Sequence, residues 1–216
     1  MIFSSIKTER LMLRPLRVSD ADEMATVLAD DSLYAFTGGE PPTVSELANR
    51  YEQQTAGSGT PGEHWCNWII RVGNQGRAVG FVQATVVGER ADLAWILGAR
   101  DQGCGFATEA VMAVCDWLTG RTVRRIEAHI HPRHEASQAV AQRIGMVRTG
   151  ECDDDDEEIW AADYDVTAHR SSSLKPSPIT LRKIMAESSA NVTGCGPTVT
   201  THFCGPNQPY KRSALL

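Results

Sequence analysis

The segment Gln102-Gly103-Cys104-Gly105-Phe106-Ala107-Thr108-Glu109-Ala110 constrains this chain more than any other. A strand-like run, Ala91 to Leu97, precedes it, and an amphipathic stretch, Ala107 to Leu118, follows it. The segment therefore reads as a glycine turn that joins a strand to a helix. Glycines let consecutive backbone N–H groups point into one concavity. The helix start adds its unpaired amides and the positive end of its dipole. Together these make an anion site suited to a phosphate or a pyrophosphate. The spacing is not a Walker loop, because no Lys-Ser/Thr pair follows the last glycine. Nor is it G-x-G-x-x-G, because Thr108 stands in the third glycine's place. Taken alone, the loop is as well explained as a structural turn.

The surrounding pattern narrows the choice. Ile6 to Arg17 alternates as a strand, and Ser19 or Asp20 caps a helix that runs to about Asp30. Gly38-Gly39-Glu40-Pro41-Pro42 breaks the chain. Thr43, with Glu46 three residues on, opens a second helix through a capping box. Trp65 to Val72, Ala78 to Val87 and Ala91 to Leu97 read as three antiparallel strands, since their separators have hairpin length and type. After the helix that carries the glycine loop come a strand, Arg125 to Ile130, and a helix, Glu135 to Ile144. Two last strands follow, Met146 to Gly150 and Ile159 to Val166, joined by the acidic run Asp153 to Glu158. From about residue 169 the chain turns rich in Ser, Thr, Pro and Gly. Apart from a short helical stretch, Thr180 to Glu187, this region is expected to be a flexible tail.

Charge and cysteine usage bound the partners. The formal net charge is −6, but residues 169–216 carry six basic residues against Glu187 alone, which leaves −11 on residues 1–168. An acidic body speaks against nucleic acid and suits a cationic substrate, or serves solubility alone. No apolar run approaches the ~20 residues that a membrane helix needs. The expectation is a cytoplasmic protein with no membrane partner. The six cysteines form no C-x-x-C pair, so free thiols are expected rather than a zinc site.

Several of these segments together resemble one family. Gln-x-x-Gly-x-Ala, opening a helix after a strand, is similar to the acetyl-CoA pyrophosphate loop of the GNAT superfamily. Gly-Cys-Gly-Phe-Ala-Thr-Glu-Ala at 103–110 looks like the branch that contains the ribosomal-protein N-terminal acetyltransferases. Thr8-Glu9-Arg10-Leu11-Met12-Leu13-Arg14-Pro15 resembles the same branch. So do Arg125-Ile126-Glu127-Ala128, Pro132, Glu135-Ala136-Ser137 and Ile144-Gly145-Met146. The resemblance spans about residues 5–167 in the family's order. It implies an α/β (α+β) fold with a mixed, mostly antiparallel sheet of about seven strands, flanked by about four helices. The fourth and fifth strands would splay. Residues 1–168 would form the acetyltransferase domain.

The resemblance also implies roles. Backbone groups at Ile96 and Leu97 would pair with the pantetheine arm of acetyl-CoA. Gln102 and the amides of Gly103, Cys104, Gly105, Phe106, Ala107 and Thr108 would hold the pyrophosphate. His134 stands where the family usually has asparagine and would contact the cofactor through a ring nitrogen, and Ser137, three residues on, would face the thiol and protonate it as it leaves. The tyrosine that many members place four residues before the helix-ending glycine is here Ala141. Asp92 is a candidate base, or a solvated carboxylate near a turn. Glu109 is expected to support the loop. Trp95 and His131 would line the acceptor cleft. His129, His131 and His134 could be read as metal ligands, but no metal is expected. The reaction implied is acetyl transfer to a primary amine by direct attack on the thioester. The acceptor would be a protein or peptide N-terminus, or a small cationic amine such as an antibiotic. A homodimer is compatible with this, and the alternative is a GNAT-fold protein that binds CoA without catalysis.

Overall fold

The computed structural model describes residues 4–165. The expected tail, 169–216, with its helix at Thr180 to Glu187, lies outside the described residues, as does Val166 at the end of the last expected strand. In chain order the elements are β1 (Ile6–Lys7), β2 (Leu11–Pro15), α1 (Ala21–Val27), α2 (Val44–Ala56), β3 (Glu63–Val72), β4 (Ala78–Val87), β5 (Arg90–Leu97), α3 (Phe106–Thr119), β6 (Arg125–Ile130), α4 (Glu135–Arg143), β7 (Val147–Cys152) and β8 (Glu158–Asp163). They build an eight-stranded sheet in the order β1-β2-β3-β4-β5-β6-β8-β7. The pairs are antiparallel except β5–β6, which is parallel.

The sheet has one strand more than expected because Ile6 to Arg17 is not one strand. The Thr8 hydroxyl and amide both bond Leu11, so the chain turns at Thr8-Glu9-Arg10 and Ile6 pairs back onto Leu13. The capping box is as expected: the Thr43 hydroxyl accepts from Glu46 N–H, and the Glu46 carboxylate accepts from Thr43 N–H at 2.8 Å.

The two faces of the sheet have different covers. Leu11, Leu13, Cys66, Trp68, Ile70, Val82, Ala84, Val86, Ala91 and Leu93 alternate along their strands, and they share one apolar core with Ala110, Val111, Val114, Cys115 and Leu118 of α3. Trp117 closes that core edge-on against Trp68, with ring centroids 5.2 Å apart. On the other face α1 is tied down by Glu23, which pairs with Arg71 at 2.8 Å and accepts from Ala78 N–H. The register of β3 and β4 slips between Ile70–Gly80 and Arg71–Ala78, which makes a bulge at Val79. A Cβ at Gly80 would lie 2.0 Å from the Ile96 carbonyl oxygen, so the bulge admits glycine there and no larger residue.

Candidate active site

The parallel pair opens. β5 and β6 are in register over Arg90–Arg125, Ala91–Ile126 and Asp92–Glu127, and their pairing ends there. β5 continues along β4 as far as Leu97. Its other edge is unpaired from Leu93 onward among the described residues. The Gly98 N–H donates to Val79 C=O at 2.9 Å and so sets the parity of β5. With a period of two, Leu93, Trp95 and Leu97 turn their peptide groups to the open edge, and Ile96 turns its groups to β4. The position of the Ile96 carbonyl beside Gly80 agrees with this. The backbone that faces the opening therefore belongs to Trp95 and Leu97 rather than to the expected Ile96 and Leu97, and of it the Leu97 C=O already accepts from the Gln102 amide.

At the mouth of this opening α3 begins without a cap. Gly103 and Gly105 both lie in the left-handed region, at φ +75° and +76°. Gly105 occupies the N-cap position, where it has no side chain to offer the helix. The first helical bond runs from Glu109 N–H to Gly105 C=O, so the N–H groups of Phe106, Ala107 and Thr108 have no partner within the helix. Their dipoles and that of α3 converge on the exposed turn Gly103–Gly105, which makes a seat for an anion. The Gln102 amide does not face this seat. It donates to Leu97 C=O at 3.2 Å and fixes the strand end against the loop.

A latch holds the loop from behind. The Glu109 carboxylate accepts from the Thr8 hydroxyl at 2.6 Å, from Arg10 N–H at 2.9 Å and from Arg10 Nε at 2.7 Å. Arg10 also donates to Cys104 C=O at 3.0 Å and lies over the Phe106 ring. Burial alone would raise the Glu109 carboxyl, but the bonds from Thr8 and Arg10 outweigh it and hold the group below the usual carboxylate range. Glu109 thus supports the loop, as expected. The part of Thr8 and Arg10 was not apparent in the sequence; its signal was the joint occurrence of Thr8-Glu9-Arg10 and Thr108-Glu109.

Across the opening, His134 takes the N-cap of α4, and its Nδ1 accepts from Ser137 N–H at 3.0 Å. Imidazole does here what an asparagine side chain does at a helix start. Burial and the neighbouring His131 push the His134 pKa down, so the ring is neutral at pH 7 and carries its proton on Nε2. Ser137 lies half-buried in the first turn of α4, and its hydroxyl has no hydrogen bond among the described residues. Ala141 is fully buried in the core with α3, so that position offers no acid. Phe36, from the connection between α1 and α2, reaches over this corner. Its ring lies 5.2 Å from that of His131 and 4.7 Å from that of His134. Sequence patterning had given no role to Phe36.

Asp92 sits at the closed end of the opening, level with Glu127 and ~17 Å along the strand from Leu97. Glu127 is neutralised by Arg90 and Arg125. The acidic run is not simply a solvated loop. Asp153 turns inward: Oδ1 accepts from the N–H groups of Asp155 and Glu157, and Oδ2 lies 2.6 Å from His129 Nδ1. Asp154, Asp155 and Asp156 are exposed. Among the described residues no group of three or more His, Cys, Asp or Glu side chains is arranged to hold a metal ion. Nor is any described helix long and apolar enough to cross a membrane.

A splayed parallel pair with a bare helix start at its mouth is the architecture of the GNAT fold. The family model described as Acetyltransferase (GNAT) domain matches residues 10–147, and the chain belongs to that family of N-acetyltransferases. An uncharacterized N-acetyltransferase, p20 of Bacillus licheniformis, is 25% identical over 150 residues, which cover 68% of this chain and 84% of that protein. The ribosomal L7/L12 alpha-N-protein acetyltransferase RimL, in complex with coenzyme A, superposes with a TM-score of 0.62 at 16% identity, over 76% of this chain and 99% of that one. The aminoglycoside acetyltransferase AAC(6')-Ib, in complex with ribostamycin and coenzyme A, gives a TM-score of 0.62 at 18% identity, over 77% and 100%. At such identities the two structures bear on the fold alone.

Proposed function

We propose that residues 1–168 transfer the acetyl group of acetyl-CoA to a primary amine by direct attack on the thioester. The observation that carries this reading is the uncapped start of α3, with Gly103 to Thr108 around it, at the mouth of the β5–β6 opening. The pyrophosphate would sit on those amides, and the pantetheine arm would run along the free edge at Trp95 and Leu97. In this reading the Ser137 hydroxyl donates a proton to the departing thiolate, and His134 orders the turn that presents it. Trp95, expected to line the acceptor cleft, packs instead toward the core that the sheet shares with α3. The acceptor enters from the side of Phe36 and His131. It is a peptide N-terminus or a small cationic amine, which the acidic body attracts. That one structural neighbour is a protein N-acetyltransferase and another is bound to ribostamycin supports both classes.

Calorimetry with acetyl-CoA, then thiol release with spermidine, ribostamycin and a serine-initiated peptide, tests the reading. Binding followed by turnover of at least one amine is expected. Gly105→Val should bind acetyl-CoA at least about tenfold more weakly, a loss of ~1.4 kcal/mol. The new side chain must adopt φ +76°, which a β-branched residue does only under strain, while its Cβ would rest in ordinary contact with Arg10 Nη2, 3.5 Å away. A folded variant of unchanged affinity would refute the loop assignment. Buried Ala141, in the place of the family's frequent tyrosine, favours the second reading, a CoA-binding protein without catalysis. Tight binding with no turnover on any of the three amines would decide for it.

A further inference from the structure

His129 lies on β6 two residues beyond Glu127, where pairing with β5 has ended. Its neighbours Ala128 and Ile130 belong to the core with α3, so by alternation His129 points to the opposite face. The same holds for Ala94 between Leu93 and Trp95, Gln83 between Val82 and Ala84, and Asn67 between Cys66 and Trp68. Register puts these residues in one row across the sheet. Asn67 faces Gln83, Gln83 faces Ala94, and the Asp92–Glu127 pair carried two residues on sets His129 level with Ala94 across the opening. Asn67 and Gln83 are buried, yet Ala94, in the middle of the sheet, keeps part of its surface open. A small side chain between polar ones, on the open edge of β5, is a floor with space above it. His131, next on the same side of the chain, meets Phe36 at the rim.

The ring of His129 is oriented. Asp153 accepts two backbone N–H groups at Oδ1 and meets His129 Nδ1 with Oδ2. Burial would raise the Asp153 carboxyl, but these bonds together hold it below the usual range, so it stays an acceptor. Whenever the imidazole is neutral its proton therefore sits on Nδ1, and Nε2 bears the lone pair. That Nε2 is buried and has no hydrogen-bond partner among the described residues.

We propose that His129 Nε2 is the base that deprotonates the acceptor amine, and that Asp153 is the residue that positions it, over a floor centred on Ala94. This rests on the acetyltransferase reading above. Nε2 takes one proton from the ammonium ion. The freed nitrogen lone pair attacks the thioester carbonyl carbon, so that a C–N bond forms. The tetrahedral adduct collapses as its C–S bond breaks, the second proton of the nitrogen passes to the thiolate by way of the Ser137 hydroxyl, and His129 returns its proton to solvent. The site takes a primary amine on a slender carbon, because a branched one would meet Gln83 and His129 on either side of Ala94; of the two acceptor classes this favours the small cationic amine, such as spermidine, over a serine-initiated peptide.

Three variants test this by thiol release with spermidine, ribostamycin and a serine-initiated peptide. His129→Gln should lower kcat by about 10²–10⁴ while calorimetric affinity for acetyl-CoA is kept. Its rate should also rise more steeply with pH, as the free amine forms without help. The charged and titratable groups that face His129 in that profile are Asp153 and Glu157 from the β7–β8 turn. In Asp153→Asn the amide oxygen must take the Oδ1 place, where two N–H groups donate, which sets the NH₂ against His129 Nδ1 and forces the proton to Nε2. Long-range ¹H–¹⁵N correlation should show Nδ1–H in the wild type and Nε2–H in Asp153→Asn, with loss of kcat and no fall in acetyl-CoA affinity. Ala94→Leu should raise KM for the amine and leave KM for acetyl-CoA alone. A His129→Gln protein with wild-type kcat, or a wild-type ring already protonated at Nε2, would overturn the inference alone. A wild type that binds acetyl-CoA and acetylates none of the three amines would overturn the enzymatic reading, and this inference with it.

Discussion

Glu109→Ala should loosen the candidate cofactor loop without touching it. The carboxylate receives the Thr8 hydroxyl, the Arg10 amide and Arg10 Nε, and it is 18% exposed against 47% for Arg10. The bond from Thr8 is partly shielded and contributes about 1 kcal/mol. The two from Arg10 are exposed and contribute ~0.5 kcal/mol each. Removing the carboxylate should therefore cost about 2 kcal/mol, or roughly 4–8 °C in Tm for a domain of this size. The loop also loses the hold of Arg10 on Cys104 C=O, which rests on the same arginine. Ordering about one further backbone residue on binding costs ~1–2 kcal/mol, so affinity for acetyl-CoA should fall about tenfold. The sign with pH is fixed. The folded carboxyl lies below its ordinary 4.5, so its contribution is complete above that pH and is lost as pH falls through the folded value. Thermal melts at pH 7 and pH 3, with calorimetry at pH 7, check both effects. A Tm change under ~2 °C, or a difference from wild type as large at pH 3 as at pH 7, would refute the latch.

Other consequences are simpler to read. His134 has its pKa lowered from 6.5, so the stability it gives is full above pH 6.5 and fades as pH falls below it. His134→Asn should keep the α4 cap and flatten that part of a Tm–pH curve. Burial pushes the thiol of Cys66 up to about 11 and that of Cys115 up to about 12. Iodoacetamide at pH 8, followed by peptide mapping, should label exposed Cys104 and Cys152 in the native protein and spare the other two. Thr43→Ala breaks the capping box of α2 and should cost about 1 kcal/mol in urea unfolding, with no change in acetyl-CoA affinity.

What could be read from the sequence was what neighbouring residues decide among themselves. Thr43 and Glu46 cap a helix three residues apart, and two glycines ahead of an amphipathic run make a turn whichever sheet they join. The same holds for the helix that ends before Gly145, at φ +87°. The turn at Thr8-Glu9-Arg10 was hidden because alternation runs through it unbroken, and what bends the chain there is a side-chain bond from Thr8 to Leu11. The parity of β5 was hidden for another reason. Ile96 and Leu97 look alike as apolar residues, and which of them frees its peptide group is settled by a bond from Gly98 to Val79, across a bulge in a different strand.

The proposed acceptor side was harder to read because its parts come from four separate stretches. Phe36 comes from the α1–α2 connection, Ala94 from β5, His129 from β6 with His131 just past its end, and Asp153 from the β7–β8 turn. Nothing in Asp153-Asp154-Asp155-Asp156 marks which carboxylate turns inward. The choice follows from the turn itself, where one aspartate must satisfy the N–H groups of residues 155 and 157 and therefore lies with its second oxygen toward β6. The two halves of the proposed site are thus under different constraints. The proposed cofactor half is made of backbone, so almost any side chain can stand at Cys104 or Phe106 as long as the glycines and Glu109 remain. The proposed acceptor half is made of side chains on two loops and a strand edge, so in this reading a change in one loop alters the substrate while the cofactor seat stays intact. That division predicts where substrate preference can be moved. Exchanging residues 30–43 or 153–157 for those of another family member should change which amine is acetylated, with KM for acetyl-CoA held. If acetyl-CoA affinity fell along with amine preference in both exchanges, the two halves would be one mechanical unit and the separation argued from their chemistry would fail.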